Sequence, residues 1–210
     1  MKYALIAAMG LVFASLAGAE ESLAPAPLTN AELSRGAALA AAHCVKCHGF
    51  DGWGELQEVP DTPSLAGQHV DYLVKQVFNF KTGQRESRLM RPAVSQLTTA
   101  EVSALARHFN RLAPRHRVVD DPGLIERGRV LYLDGDLARN ISACAACHGD
   151  HALGGAQMPR LAGQNPAYLQ QQLRGFIEKA RTNDNMMHVS LTPMAAEELR
   201  ALAYYLTSRE

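Results

Sequence analysis

The chain has 210 residues with 21 basic and 21 acidic side chains, so its formal net charge is zero when histidine is neutral. This balance argues against a nucleic-acid-binding protein, which would carry a clear excess of lysine and arginine. A hydrophobic content of 47% over this length suits a globular protein with room for two small domains.

The N-terminus is typical of a secretory signal peptide. Lys2 gives a positive start, residues 3–16 are apolar or small, and residues 17–19 (Ala-Gly-Ala) form a small-x-small cleavage site. We therefore predict a signal peptide at residues 1–19. A retained membrane anchor is the alternative, but the apolar run is short for a bilayer span. Because no later stretch is long and apolar enough to cross a membrane, we expect an exported protein with at most peripheral membrane association.

Two copies of the motif Cys-x-x-Cys-His follow, at residues 44–48 and 144–148, and they contain all 4 cysteines of the chain. This motif is typical of covalent haem c attachment, in which both cysteines form thioether bonds and the histidine binds the iron. Such attachment takes place outside the bacterial inner membrane, so motif and signal peptide together predict the periplasm. The sequence thus predicts two haem c groups, with these candidate residues: Cys44, Cys47 and His48, and Cys144, Cys147 and His148.

Three other interpretations of the cysteines are weaker. A thioredoxin-like redox pair needs a βαβ setting, which the sequence does not show, and it leaves both histidines unused. A closed structural zinc site needs four ligands. If all four cysteines bound one zinc ion, both motif histidines would have no role. A disulfide across two intervening residues closes a very small loop and adds little stability.

The chain contains an internal repeat of about ninety residues, which predicts two small domains rather than a solenoid. The segment Pro-Ser-Leu-Ala-Gly-Gln at 63–68 recurs as Pro-Arg-Leu-Ala-Gly-Gln at 159–164. We predict an N-terminal domain at 20–112, a linker at 113–121 and a C-terminal domain at 122–210. Further pairs match between the halves: Arg35-Gly36 with Arg127-Gly128, Tyr72 with Tyr168, Gln76 with Gln172, Arg85 with Arg181, and Ala104-Leu105-Ala106 with Ala201-Leu202-Ala203.

Apolar residues at helical spacing predict three main helices in each half. In the first half these helices cover an alanine-rich segment at 35–42, residues 72–80, and a segment with Val102, Leu105 and Phe109 that Thr98 or Thr99 caps. In the second half, residues 168–176 and 194–206 are the predicted counterparts of the second and third helices. Strand-like alternation is hard to find, so the predicted fold is all-α. Long loops follow the motifs at 49–68 and 149–164, and an insertion at 133–142 is a further predicted loop.

Each haem iron also needs a ligand on its second face if it is to act only as an electron carrier. Alignment of the last helices places Met90 opposite Met187, each in a predicted loop, with Met186 as a close rival. A thioether ligand favours reduced iron and raises the redox potential. Ligation by two histidines is the alternative, but no spare histidine has a counterpart in the other half. The alternative for any single methionine is that it packs in the core and does not bind iron.

Several other repeated residues are candidates for support of the haem. The carbonyl groups of Pro63 and Pro159 could orient the haem histidines, or these prolines could simply shape the loop. The tyrosines and arginines of the repeat could bind haem propionates, or serve in ordinary helix packing: Tyr72, Tyr168, Arg85 and Arg181.

Taken together, these motifs resemble the di-haem cytochrome c4 family. The shared pattern comprises the signal peptide, two Cys-x-x-Cys-His-Gly units, the repeated Pro-x-Leu-Ala-Gly-Gln and Arg-Thr-Asn-Asp at 181–184, over residues 32–206. The resemblance implies two class I cytochrome c domains related by a pseudo-twofold axis, with propionates near their interface. It also implies His–Met ligation of both irons: His48 with Met90, and His148 with Met187.

The resemblance further implies a periplasmic electron carrier that donates to a terminal oxidase, without substrate chemistry of its own. Expected partners are redox proteins such as an oxidase, other cytochromes or a dehydrogenase. The main alternative is a haem-bearing subunit of a periplasmic dehydrogenase complex, such as a sulfide-oxidising flavocytochrome. A di-haem peroxidase or thiosulfate-oxidising enzyme is a weaker alternative, because no cysteine remains to provide a thiolate ligand. The balanced charge totals do not reveal a docking patch.

Overall fold

The computed structural model describes residues 29–54, 59–155 and 157–210. The predicted signal peptide at 1–19 and its cleavage site lie outside these residues. Within them the chain forms α-helices, one 3-10 helix and two isolated β-bridges, and no strand, which confirms the predicted all-α class. None of the described helices is both long and apolar enough to cross a bilayer.

Each half of the described chain contains three long helices and two short ones, as the periodicity predicts for the long helices. The first half consists of α1 (Asn30–His43), α2 (Val45–His48), α3 (Val70–Thr82), α4 (Met90–Val94) and α5 (Thr99–Arg111). The second half consists of α6 (Pro122–Leu133), α7 (Ala145–His148), α8 (Pro166–Ile177), α9 (Asn185–Leu191) and α10 (Ala196–Thr207). Residues 113–121 between them form no helix or strand.

The first and last helices of each half cross at a glycine. A Cβ atom on Gly36 of α1 would lie 2.5 Å from the carbonyl oxygen of Ala104 in α5. A Cβ atom on Gly128 of α6 would lie 2.1 Å from the carbonyl oxygen of Ala201 in α10. Only a residue without a side chain permits so close an approach. The repeated Arg-Gly and Ala-Leu-Ala segments are therefore the two sides of one helix crossing.

Side chains at the helix starts define where several helices begin. Thr98 rather than Thr99 caps α5: its hydroxyl accepts a hydrogen bond from the Glu101 N–H at 3.3 Å, and the Glu101 carboxylate accepts one from the Thr98 N–H at 2.9 Å. This reciprocal pair is a capping box. Asp184 caps α9 in a simpler way, because its carboxylate accepts a hydrogen bond from the Met187 N–H at 3.3 Å.

Each half packs its three long helices around its own apolar core. The first core contains these buried residues: Ala40, Leu73, Phe80, Val94, Leu97, Val102, Leu105, Ala106 and Phe109. The second core is larger, and the fully buried Ile141 of the insertion at 133–142 is part of it. Arg139 of this insertion pairs with Asp136 at 2.7 Å and with Glu198 of α10 at 2.6 Å. The predicted loop is thus fixed to the second core.

Candidate haem sites and the interface between them

Both Cys-x-x-Cys-His motifs form a single helical turn, α2 in the first half and α7 in the second. The His48 N–H donates to the Cys44 carbonyl at 2.9 Å, and the His148 N–H donates to the Cys144 carbonyl at 3.0 Å. In such a turn, residues i, i+3 and i+4 lie on one face. The two cysteines and the histidine of each motif therefore face the same side, as attachment to one planar ring requires.

Cys44 and Cys144 lie in buried surroundings that disfavour a thiolate. Burial raises the pKa of the Cys44 and Cys144 thiols to about 11. A thioredoxin-like redox pair needs a thiolate of lowered pKa, so the raised pKa values disfavour that role for both thiols. In the described part of the chain, no group of three or more His, Cys, Asp or Glu side chains is arranged to hold a metal ion. The surroundings of the motifs thus weigh against the zinc and thioredoxin-like interpretations.

The motif histidines are both buried, with 5% and 7% of their surface exposed for His48 and His148. Burial lowers the pKa of each imidazole, and the facing proline carbonyl opposes the shift in both. Neutral imidazole is the form that binds iron. Nδ1 of His48 lies 3.1 Å from the Pro63 carbonyl oxygen, so Nδ1–H donates and Nε2 is left as the ligating nitrogen. Nδ1 of His148 is buried without a hydrogen bond, although Pro159 lies beside it.

The candidate methionines lie in short helices rather than in the predicted loops. Met90 is the first residue of α4. Met187 lies in the first turn of α9, which Asp184 caps. Met90 packs against the first core and Met187 against the second, both half-buried. Met186 instead points outward, with 68% of its surface exposed. Of the two neighbouring sulfurs, only that of Met187 borders the core.

The surroundings of each motif fit a covalent haem. Cys44 and Met90 border the first core, and Cys144 and Met187 border the second. An imidazole, a thioether and two cysteines are the side chains that a His–Met haem c uses, and each half contains them. Half-buried apolar side chains complete each cluster and offer contacts to a large apolar ring: Leu65, Val74, Val77 and Phe78 in the first half, and Leu133, Leu161 and Ile177 in the second.

Two glutamines at the ends of the repeated loops join the halves through paired hydrogen bonds. Nε2 of Gln68 donates to the Arg160 carbonyl at 2.9 Å, and Oε1 accepts from the Arg160 N–H at 2.8 Å. Gln164 makes the same pair with Ser64, at 2.9 Å to its carbonyl and 2.7 Å from its N–H. Because Ser64 and Arg160 are equivalent in the repeat, the two contacts are related by a pseudo-twofold axis.

Two repeated arginines also cross the interface. Nη2 of Arg85 donates to the Tyr168 hydroxyl at 2.8 Å, and Nη2 of Arg181 donates to the Tyr72 hydroxyl at 3.2 Å. Each also contacts the glutamine one helical turn after that tyrosine, at 2.7 and 3.3 Å. Burial works to raise the pKa of Tyr168, but the two guanidinium groups hold it below its ordinary value. These four residues, candidates for propionate binding from the sequence, join the two halves in this structure.

The segment at 113–121 is held against both halves. Arg117 is buried and donates to the carbonyl groups of Gly163 and, at 2.8 Å, of Trp53. Burial lowers the pKa of Arg117 to about 10, and the nearby Arg115 adds to the shift. The Arg115 guanidinium lies 4.9 Å above the Trp53 ring, whose Nε1–H donates to the Ala113 carbonyl at 3.0 Å. The predicted linker is thus packed in place rather than a free tether.

Sequence reasoning missed the glutamines as interface residues. The signal was present, since Gln68 and Gln164 close the repeated Pro-x-Leu-Ala-Gly-Gln segment, and an amide has no role in haem attachment. A paired donor and acceptor on one side chain is suited to binding the N–H and C=O of one backbone residue. The repeat therefore contains a haem motif and, separately, a motif that joins the domains.

Comparisons with known proteins agree with this architecture. A family model described as cytochrome c matches residues 33–112 and 125–210. The chain is 36% identical over 168 residues to cytochrome c4 of Thiocapsa roseopersicina, covering 78% of this chain and 85% of the relative. It is 33% identical over 174 residues to a thiosulfate dehydrogenase electron acceptor of Thiomonas intermedia, covering 80% and 79%. The crystal structure of reduced cytochrome c4 from Pseudomonas stutzeri superposes with a TM-score of 0.78 at 29% identity, covering 85% and 98%.

Proposed function

The chain belongs to the di-haem cytochrome c4 family, and from this premise we propose that it carries electrons between respiratory partners in the periplasm and donates them to a terminal oxidase. It is an electron-transfer cytochrome with two covalently bound haem c groups, and not an enzyme. When bound, each haem supplies one iron that alternates between the ferric and ferrous states. The chain's own residues attach the haems, tune their potentials and form the docking surfaces.

The observation that carries this proposal is that each half contains a buried motif histidine, and that the first motif cysteine and a half-buried methionine pack against the same core. His48 and Met90 are assigned to the first iron, and His148 and Met187 to the second. The cysteines of the two motifs are assigned to the thioether bonds. If these residues hold both axial positions, neither iron would have an open position for a substrate, which suits a carrier and disfavours oxygen or peroxide chemistry.

The arrangement of the halves supports transfer between the two haems. The proposed domains are 20–112 and 122–210, joined by 113–121, and the predicted signal at 1–19 would export the chain to the periplasm. The paired contacts of Gln68 and Gln164 cross the interface beside the loops that hold the haem histidines. These contacts would hold the two sites at a defined separation, on which the rate of electron transfer between them depends.

The ligand assignment is tested by replacement of the methionines one at a time. In the ferric protein, methionine-ligated haem gives a weak far-red sulfur-to-iron band. We expect Met90→Ala and Met187→Ala each to remove about half of this band, because each removes one of two equal sulfur ligands. Met186→Ala is the matched control, since this exposed neighbour should leave the band intact. The measurement is the far-red absorbance per mole of haem iron.

Two results would overturn the assignment. If Met186→Ala halves the band while Met187→Ala preserves it, the second ligand is misassigned. If the wild-type protein has no far-red band, or contains a high-spin ferric haem, the carrier function itself fails.

A second candidate function is supported by the relative from Thiomonas intermedia, which is named as a thiosulfate dehydrogenase electron acceptor. Under this second function, the chain receives electrons from a periplasmic dehydrogenase. It acts either as a free acceptor or as the haem-bearing subunit of a complex such as a sulfide-oxidising flavocytochrome. A donor of this kind is compatible with an oxidase as the acceptor, because a carrier needs both.

The subunit role is distinguished from the free carrier by purification from native periplasm. We expect the haem absorbance to elute from a sizing column at the mass of the free chain with two haems. Elution at constant stoichiometry with a flavoprotein, resistant to dilution and salt, would establish the subunit role instead.

A further inference from the structure

The helices that contain the candidate methionines differ in their surface charge. In the first half, Leu89 has 70% of its surface exposed and lies between Arg88 and Arg91, both also exposed. These residues immediately flank Met90, whose own side chain turns to the core. An exposed leucine and two exposed arginines therefore lie next to the proposed methionine ligand in the sequence.

A shallow cleft of about 450 Å³ opens on the same surface. Glu86 is the one acidic residue among its walls, and it lies 4.0 Å from Arg91 with both side chains well exposed. The Glu86 carboxylate offsets one of the two arginine charges, so the charged residues that line the cleft carry a net charge of +1. We call this surface the arginine face and define it by the residues that line the cleft together with Leu89: Glu86, Ser87, Arg88, Arg91, Pro92 and Ser95.

The equivalent segment of the second half, residues 184–192, contains no lysine or arginine. Residues 184–192 contain one charged side chain, Asp184, which is engaged as the cap of α9. His188 faces inward, because its Nδ1–H donates to the Phe176 carbonyl at 2.8 Å. The side chains exposed here are the apolar Met186 and Val189. Beside Met90 the chain thus presents two exposed arginines and one glutamate, whereas residues 184–192 contain no lysine or arginine.

We infer that the arginine face is the docking surface for an acidic redox protein that exchanges electrons with the N-terminal haem. The partner must present carboxylates around an apolar contact, so that the carboxylates pair with Arg88 and Arg91 while the apolar contact covers Leu89. Each encounter oxidises a reduced partner by one electron and reduces one ferric iron. This inference rests on the proposed function, which places Met90 on the first iron.

The test uses the di-haem holoprotein and flavodoxin hydroquinone, an acidic one-electron donor, as the probe. We compare Arg88→Gln/Arg91→Gln with Asn185→Glu/Val189→Glu on α9, because each pair changes the net charge by the same amount. We expect the first pair to lower the second-order rate constant of reduction at low ionic strength about tenfold. The second pair should change it by less than about twofold. The difference should vanish at about 1 M salt, where charges are screened within a few ångströms.

A binding measurement on the unaltered protein makes the test independent of the variants. Redox-inactive apoflavodoxin added to ¹⁵N-labelled ferric protein should shift the backbone amides of residues 86–95 more than those of 184–192. Equal slowing by both variant pairs, a salt-independent wild-type rate, or amide shifts centred on α9 would each overturn the inference. Failure of the proposed function is separate, because it appears as loss of the far-red band in the protein without any partner.

Discussion

The N-terminal and C-terminal halves use the same scaffold and differ on their outer surfaces. They match at the glycine of the helix crossing, at the glutamine that bonds to the opposite backbone, and at the arginine that reaches the opposite tyrosine. They differ in the insertion at 133–142, in the capping of the methionine helices, and in the charges beside the methionines.

This difference separates two sets of constraints on the chain. Residues that contact another helix or the other domain have little freedom, because a change in one must be matched in its partner. Residues that face solvent are free to vary, and they can determine which partner each domain binds. Two domains with similar haem sites can in this way have different partners, as the arginine face illustrates.

The largest effect is expected at the helix crossings. Gly128→Ala should lower the free energy of unfolding by about 3 kcal/mol, because its Cβ would press on the backbone of α10. Gly36→Ala should cost about 2 kcal/mol, since its Cβ would lie slightly farther from the facing carbonyl. Denaturant titration followed by circular dichroism measures both values.

A control within α6 distinguishes this contact from a general effect of glycine replacement. A Cβ on Gly123 would meet only Asp121 Oδ1, at 3.7 Å, so Gly123→Ala should be neutral or stabilising by a few tenths of a kcal/mol through helix propensity. Similar destabilisation by Gly123→Ala and Gly128→Ala would show that the crossing is not the cause.

A smaller effect is expected at the interface glutamines, and it should be unequal. Gln164→Ala should cost about 2 kcal/mol, because it leaves the buried N–H and C=O of Ser64 without partners. Gln68→Ala should cost about 1 kcal/mol, since the Arg160 groups are only partly buried. Gln170→Ala is the control, because that amide bonds only within α8. Equal unfolding energies for all three variants would contradict the twofold interface described above.

The smallest effect concerns the starts of the methionine helices. Asp184→Ala should cost about 1 kcal/mol, because the carboxylate caps the first turn of α9. Ser87→Ala should cost about 0.5 kcal/mol, since its hydroxyl accepts one hydrogen bond from the Met90 N–H before a five-residue helix. Asp184→Asn keeps a capping side chain and should restore most of the loss in thermal unfolding. A larger loss in Asp184→Asn than in Asp184→Ala would rule out capping as the cause.

Much of the fold could be predicted from local patterns. Apolar spacing predicts α3, α5, α8 and α10, and the candidate caps Thr98 and Thr99 place the start of α5 to within one residue. The two Cys-x-x-Cys-His motifs predict the haem groups because their chemistry requires residues adjacent in sequence. These features depend on neighbours within a few positions along the chain.

The remainder depends on contacts between distant residues. Gln68 and Arg160 are 92 positions apart, and nothing near either one in sequence indicates the other. The choice between Met186 and Met187 depends on which sulfur faces the core, which requires the orientation of α9 on its neighbours. The arginine face likewise emerges only when side-chain exposure is known, because the charge totals of the chain are balanced.

The most direct test of two similar His–Met domains is a redox titration of the wild-type holoprotein monitored at the far-red sulfur-to-iron band. The account predicts two one-electron steps, each with loss of about half of the ferric band, because each domain supplies one methionine to one iron. A band that disappears entirely in one of the two steps, or a high-spin ferric signal in either, would show that one iron lacks a methionine and would contradict the account.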